Sequence, residues 1–288
     1  MTVWLKAIRC QTLVAAIIPV FMGAVFAYQY EKFHFLSVGS AFLAAIFIQI
    51  GTNFANDYFD YINGADTDNR LGPLRVTSAG LVSPTSMRNA MIIAFIIALL
   101  CSSYIIWRGG MVIIIIAIVS ILFGVLYTGG PYPLGYYGFG DIFVFLFFGP
   151  VAVAGTYYVQ TLEWSVATMF LGIAPGLFSM AILAVNNLRD VDEDSQTGKR
   201  TLAVRWGPTF VRIEYVFCLF LGSTIPFLVD VFFHRSSPNH WVFLTLIPCF
   251  KLINLILVKK GGALNLILSY TARVYILFFV LWILGEFL

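Results

Sequence analysis

Apolar residues run along this chain in unbroken stretches, without the period-two alternation of a membrane barrel strand. Each stretch reaches about 18 residues or more, enough for a helix to cross a hydrocarbon core of about 30 Å. Nine of them predict transmembrane helices, over residues 12–28, 36–55, 89–106, 111–127, 141–160, 165–188, 211–232, 241–258 and 264–284, with only Trp107 to Gly110 separating the third from the fourth. The first follows Lys6 and Arg9 and could be cleaved after Ala27 as a signal peptide, but eight further spans predict an uncleaved first helix. No linker rich in Ser, Gly or Pro divides the chain. Residues 1–288 are therefore expected to form a single integral membrane domain, an all-α polytopic bundle of about nine transmembrane helices.

Composition makes lipid the principal solvent. Hydrophobic residues are 60% of the 288 and charged residues 11%, where a soluble domain carries roughly a quarter. Basic residues then orient the bundle, because short cytoplasmic loops are enriched in Lys and Arg. The N-terminus and the loops after even-numbered spans hold twelve of them: Lys6, Arg9, Arg70, Arg75, Arg88, Arg189, Lys199, Arg200, Arg205, Arg212, Lys259 and Lys260. The other side holds three, Lys32, Arg108 and Arg235, while Lys251 and Arg273 fall inside spans. This places the N-terminus and the even loops in the cytoplasm, as in a bacterial cytoplasmic membrane protein. The net charge of +3 records topology and gives no reason to expect a nucleic-acid partner. Cys10, Cys101, Cys218 and Cys249 form no CxxC pair, and His34, His234 and His240 all lie on the non-cytoplasmic side, so neither zinc nor histidine acid-base chemistry is expected.

The two long cytoplasmic loops repeat one another. Asn56-Asp57-Tyr58-Phe59-Asp60 follows span two, and Asn186-Asn187-Leu188-Arg189-Asp190 closes span six. Aligning Asn56 with Asn186 puts Asp60 on Asp190 and Arg70 on Arg200 without a gap. Two pseudo-repeated helical halves would thus each bring an acidic loop to a shared centre. Asn53, Asn56, Asp57 and Asp60 are spaced three or four apart, so a helix continued through them carries them on one face; Asn186, Asp190 and Asp194 repeat the spacing. Carboxylates stacked in this way repel unless a cation neutralises them. Magnesium suits such oxygen donors, typically through one or two carboxylates with waters and substrate phosphates. Lys199, Arg200, Arg70 and Arg75 lie beside the acids, where a bare cation site would not want them and a metal-bridged diphosphate would. A solvated charged loop is the plainer reading of either loop alone. Two matching loops at helix ends favour a site.

The loop after span four, from Tyr127 to Asp141, is rich in Gly and Tyr and has no Lys or Arg. Most of its tyrosines fit an interfacial belt, with Tyr127 and Tyr132 as candidates to bind an aromatic substrate. Gly138 and Gly140 lack the third glycine and preceding strand of a nucleotide fingerprint. Gly172 and Gly176 flank Pro175, which favours a kink or close packing over a dimer motif.

These motifs resemble the UbiA superfamily of intramembrane aromatic prenyltransferases. Asn56-Asp57-x-x-Asp60 is similar to its first aspartate-rich motif and Asp190-x-x-x-Asp194 to its second. Gly72-Pro73-Leu74-Arg75 and Gly198-Lys199-Arg200-Thr201-Leu202 are similar to the 1,4-dihydroxy-2-naphthoate branch, MenA. The likeness runs from Trp4 to about Gly207. Two departures stand out: Arg9 is followed by Cys10-Gln11 where that branch usually has Pro-Lys, and Gly64 stands where the wider superfamily often has a third carboxylate, with Asp66 two positions later.

The resemblance implies a polyprenyl diphosphate as donor and two magnesium ions held by Asn56, Asp60, Asp190 and Asp194, assisted by Asp57, Asp66 and Asn186. Lys199, Arg200, Arg70 and Arg75 would stabilise the leaving pyrophosphate, and Arg9 and Asn53 would contact substrate. The acceptor it implies is 1,4-dihydroxy-2-naphthoate, prenylated with loss of carbon dioxide on the way to menaquinone. Two other readings stay open. Another acceptor, such as 4-hydroxybenzoate, would use the same loops. An ion-coupled transporter would use the acids differently, although transport sites lie nearer the bilayer midplane than these helix-end acids.

Overall fold

In the computed structural model, which describes residues 3–65, 71–235 and 237–288, the apolar stretches form helices whose ends are set by local chemistry. The elements are α1 (Val3–Ile8), α2 (Cys10–Tyr28), α3 (Phe35–Ile62), α4 (Pro84–Gly109), α5 (Met111–Leu126), α6 (Gly140–Phe147), α7 (Pro150–Thr161), α8 (Val166–Leu171), α9 (Ile173–Arg189), α10 (Val191–Gln196), α11 (Leu202–Phe232), α12 (Leu246–Val258) and α13 (Leu264–Phe287). His34 caps α3 by accepting from the Ser37 amide, and Ser83 caps α4 by accepting from the Ser86 amide, with Pro84 following in the first turn. Gly110, at φ 64°, separates α4 from α5. The two spans divided by four residues in the sequence are therefore two helices.

All nine predicted spans have counterparts. Among the described residues eight segments are long and apolar enough to cross a membrane, and α5 is a shorter apolar helix of 16 residues, about 24 Å at 1.5 Å per residue. Several ends differ from expectation for definable reasons. α3 continues past residue 55 to Ile62, carrying Asn56, Asp57 and Asp60 in helical register until Gly64 turns the chain at φ 64°. α11 begins at Leu202 rather than 211 but is interrupted at Gly207, whose φ of 83° hands over to Pro208. The fifth span breaks near its middle, as α6/α7 at Pro150, and the sixth breaks after its first six residues, as α8/α9 shortly before Pro175. There the backbones meet: a Cβ on Gly172 would stand 2.5 Å from Cα of Pro150, and one on Gly176 2.6 Å from the Phe145 carbonyl oxygen. The glycine pair around Pro175 is a close-packing device.

α3 packs along α4, α9 along α11 and α13, and α2 along α7. The main apolar core gathers on α9, α11 and α13, where Phe178 meets Tyr275 at 5.1 Å and Phe278 at 4.7 Å. A smaller core of Phe54, Met87, Phe95 and Val76 lies beneath the end of α3. Elsewhere large apolar side chains face outward, and only 28% of the apolar window is buried in Phe35–Ile62 and in His240–Val258. Such a surface needs a lipid solvent. The protein is an integral membrane protein, with α3 and α9 ending together at one face.

Candidate active site

Where α3 ends, three acceptors fan out. An α-helix turns about 100° per residue, so Asn56 and Asp57 point to different neighbours with Asp60 between them. Asn56 accepts a hydrogen bond from the Thr128 hydroxyl at 2.9 Å. Asp57, 1% exposed, accepts from the Val76 and Thr77 amides at 3.2 and 3.0 Å, which fixes the loop carrying Arg75. Asp60, also 1% exposed, is the hub: Arg75 Nη2 donates to it at 2.5 Å, the Tyr136 hydroxyl donates at 2.7 Å, and Lys199 Nζ stands 3.2 Å away.

The end of α9 supplies the second half. Arg189 holds Asp190 through two bonds, Nε at 2.7 Å and Nη2 at 2.6 Å, and donates to Asn265 Oδ1 on α13 at 2.9 Å. Asn265 in turn donates to the Leu71 carbonyl at 2.8 Å, tying α13 to the loop after α3. Asn186 lies one turn before Asp190 and is half-buried. Asp194, on α10, is 7% exposed. Burial pushes its carboxyl up to about 7, and the charges of Asp190, Asp60 and Glu193 push the same way against Lys199. Asp194 thus feels Asp60 across the repeat, so the two acidic loops share one electrostatic site.

The loop after α5 closes it. The Lys199 amide donates to the Asp194 carbonyl at 2.9 Å, the Arg200 amide donates to the Tyr136 carbonyl at 2.6 Å, and Lys199 Nζ sits 4.8 Å over the Tyr136 ring. Asp60, Arg75, Lys199 and Asp194 are therefore brought together, with Asp190 adjoining. Other sequence candidates stand apart. Arg200 is exposed and joined through its backbone. Asn53 is 2% exposed and donates to the Ile8 carbonyl at 2.7 Å and the Thr12 hydroxyl at 2.9 Å, bracing α3 against the turn at Arg9, whose φ is 53°. Tyr132 is 72% exposed and packs on Tyr137. Asp66 and Arg70 lie outside the described residues.

Tyr127 lines an apolar cavity of about 190 Å³ between α3, α5 and α7, walled by Ala44, Ile48, Ile113, Ala117 and Phe147. Asp141, 3% exposed at the start of α6, lies within electrostatic range of Tyr127. Sequence reading had not singled out Tyr136, Asp141 or Asn265. Tyr136 is one of several tyrosines in its loop, Asp141 read as the edge of a span, and Asn265 as a helix start.

Among the described residues no group of three or more His, Cys, Asp or Glu side chains is gathered in metal-ligating geometry. Cationic side chains engage the carboxylates instead. The donor set is nonetheless hard oxygen: Asp60, Asp190 and Asp194, with the amides Asn56 and Asn186. Burial, and after it the neighbouring carboxylates Asp190, Asp60 and Glu193, raises the proton affinity of Asp194. Magnesium, which needs only one or two carboxylates alongside phosphate oxygens and water, fits such a set.

The sequence matches the UbiA prenyltransferase family over residues 16–263. It is 33% identical to the 1,4-dihydroxy-2-naphthoate octaprenyltransferase of Escherichia coli (strain K12), across 99% of this chain and 95% of that protein. It is 36% identical to the enzyme of the same name from Mycobacterium tuberculosis (strain ATCC 25618 / H37Rv), across 78% of this chain and 77% of that one. Among solved structures, a UbiA homolog from Archaeoglobus fulgidus bound to GPP and Mg2+ superposes with a TM-score of 0.69 over 100% of both chains at 14% identity, a likeness of fold. Paired acidic loops on two helix ends, the nine-span architecture and a sequence match over most of its length place this chain in the UbiA prenyltransferase family.

Proposed function

We propose that this protein transfers a polyprenyl group from polyprenyl diphosphate to 1,4-dihydroxy-2-naphthoate, releasing carbon dioxide and pyrophosphate, in menaquinone biosynthesis. The observation that carries the reading is the meeting of Asp60 and Asp194, from opposite repeats, with Arg75 and Lys199. A polyprenyl diphosphate is both polyanion and lipid, and needs both this charged cluster and an apolar cavity such as the one lined by Tyr127. The acceptor follows from the names of the relatives aligned over most of the chain.

In this reading residues 1–288 act as one catalytic domain in a bacterial cytoplasmic membrane, its N-terminus and acidic loops cytoplasmic. Asn56, Asp60, Asn186, Asp190 and Asp194 would hold two magnesium ions, with Asp66 assisting. Bound there, magnesium would draw charge from the diphosphate and make it a better leaving group. Asp57 positions the Arg75 loop. Arg75 and Lys199, assisted by Arg70 and Arg200, stabilise negative charge growing on the departing pyrophosphate. As the bond from the prenyl carbon to the diphosphate oxygen breaks, the ring carbon bearing the carboxylate attacks that prenyl carbon. Loss of carbon dioxide then returns the carboxylate's bonding electrons to the ring. Tyr127, which lines the cavity, would face the ring.

The test offers purified protein one polyprenyl diphosphate with several acceptors and identifies products by mass. Prenylated, decarboxylated naphthoquinol is expected from 1,4-dihydroxy-2-naphthoate alone. Product from 4-hydroxybenzoate alone would overturn the choice of acceptor, and no pyrophosphate release with any acceptor would overturn the reaction.

A further inference from the structure

Away from the acidic loops, α12 and α13 enclose a cleft of about 320 Å³ whose lining includes Lys251, Arg273 and Tyr270 over Leu252, Leu255 and Leu277. Lys251 lies seven residues inside the end of α12 and Arg273 nine residues inside the start of α13. At 1.5 Å per residue, both are about 10 to 14 Å in from the face that carries the acidic loops. Both are exposed, on the protein's outer surface. Among the described residues neither has an acidic partner within ion-pair distance, and Arg273 lies 5.3 Å from the Tyr270 ring centre.

A single cation at this depth is explained by snorkelling, in which the apolar stem stays in lipid and the charge rises to the interface. Two cations lining one cleft are different, since they repel one another unless an anion lies between them. Apolar walls beneath the charges reject a fully hydrated anion and suit a hydrocarbon chain.

We infer that this cleft binds an anionic glycerophospholipid, with its phosphate between Lys251 and Arg273 and an acyl chain along Leu252, Leu255 and Leu277. Basic pockets between transmembrane helices recognise acidic headgroups in this way. The site is separate from the diphosphate cluster and does not depend on the reaction proposed above.

Native mass spectrometry of the purified protein, titrated with phosphatidylglycerol or phosphatidylcholine, tests it. Taking the usual gain per basic residue at an anionic surface, two cations correspond to a preference of about thirtyfold for phosphatidylglycerol. The Lys251→Gln/Arg273→Gln variant is expected to lose that preference. Leu277→Trp, which fills the cleft and keeps both charges, is expected to lose it too, whereas Lys259→Gln/Lys260→Gln, outside the cleft, keeps it. Thermal unfolding in phosphatidylcholine establishes that each variant is folded. Should the double variant fail to fold, Lys251→Gln alone is expected to reduce the preference about fivefold. Equal retention of both lipids by the wild type, or an undiminished preference in the charge-removed variant, overturns the proposal. So does displacement of phosphatidylglycerol by millimolar inorganic phosphate, which would mark a site for free anions.

Discussion

Tyr136→Phe removes one hydroxyl from the centre of the site and little else. That hydroxyl donates to Asp60 at 2.7 Å, while the Tyr136 carbonyl receives the Arg200 amide and the ring lies under Lys199, and both of these contacts survive in phenylalanine. A hydrogen bond to a charged group is worth about 1.5 to 3 kcal/mol. Asp60 keeps Arg75 and Lys199, so the lower end applies, and about 1.4 kcal/mol corresponds to a tenfold loss in kcat/KM. The assay is pyrophosphate release from polyprenyl diphosphate with 1,4-dihydroxy-2-naphthoate, beside thermal unfolding in detergent. The expected result is a fall of about tenfold in kcat/KM with an unfolding midpoint close to wild type, and no change for the exposed Tyr132→Phe. Equal effects of the two substitutions, or a loss in Tyr136→Phe explained wholly by unfolding, would refute a role for the Tyr136 hydroxyl in holding Asp60 for the reaction.

Three further outcomes are expected. Arg75→Gln leaves Asp60 without its shortest partner in a buried setting, where breaking an ion pair costs about 3 kcal/mol or more, so the unfolding midpoint should fall markedly; an unchanged midpoint would contradict the pairing. Asp194 binds its proton more tightly folded than unfolded, its carboxyl being raised from 3.8 to about 7, so its contribution to stability should decline as pH rises from about 4 to 7 and level off above. The difference in unfolding midpoint between wild type and Asp194→Asn, with magnesium chelated, should follow that course, and a flat difference would deny the shift. Asn265→Ala frees the Leu71 carbonyl and one guanidinium bond of Arg189, and at about 1 kcal/mol for a hydrogen bond should raise KM for the diphosphate about fivefold with kcat little changed; an unaltered KM would detach α13 from the site.

The helices were legible because their signal is local. A run of apolar residues has few ways to satisfy its backbone in lipid other than as a helix. The repeat was legible for a similar reason, since Asn56/Asp60 and Asn186/Asp190 keep one spacing within contiguous segments. What the spacing could not resolve was direction. Asn53, Asn56, Asp57 and Asp60 share a stripe, yet Asn53 meets the turn before α2, Asn56 meets Thr128, Asp57 holds the backbone at Val76 and Thr77, and only Asp60 meets Arg75 and Lys199. A stripe wide enough to hold all four spans about 100° of helix surface, room for four different sets of neighbours. The choice of Tyr136 over Tyr132 is likewise a tertiary fact, made by a contact 76 residues apart in sequence. The break within the fifth span escaped the hydropathy pattern because Pro150 bends a helix without making it polar, whereas Pro175 already marked a kink in the sixth.

In the function proposed above, Asp60 from one repeat and Asp190 with Asp194 from the other hold the metal-bound diphosphate. The most direct test of that arrangement is magnesium-dependent pyrophosphate release by purified wild-type, Asp60→Ala and Asp190→Ala proteins, each shown to be folded in membranes. The account predicts release by the wild type that is abolished by chelation and restored by magnesium, and no turnover by either variant at any magnesium concentration. Near-normal turnover in either variant, or release by the wild type that is indifferent to chelation, would contradict it.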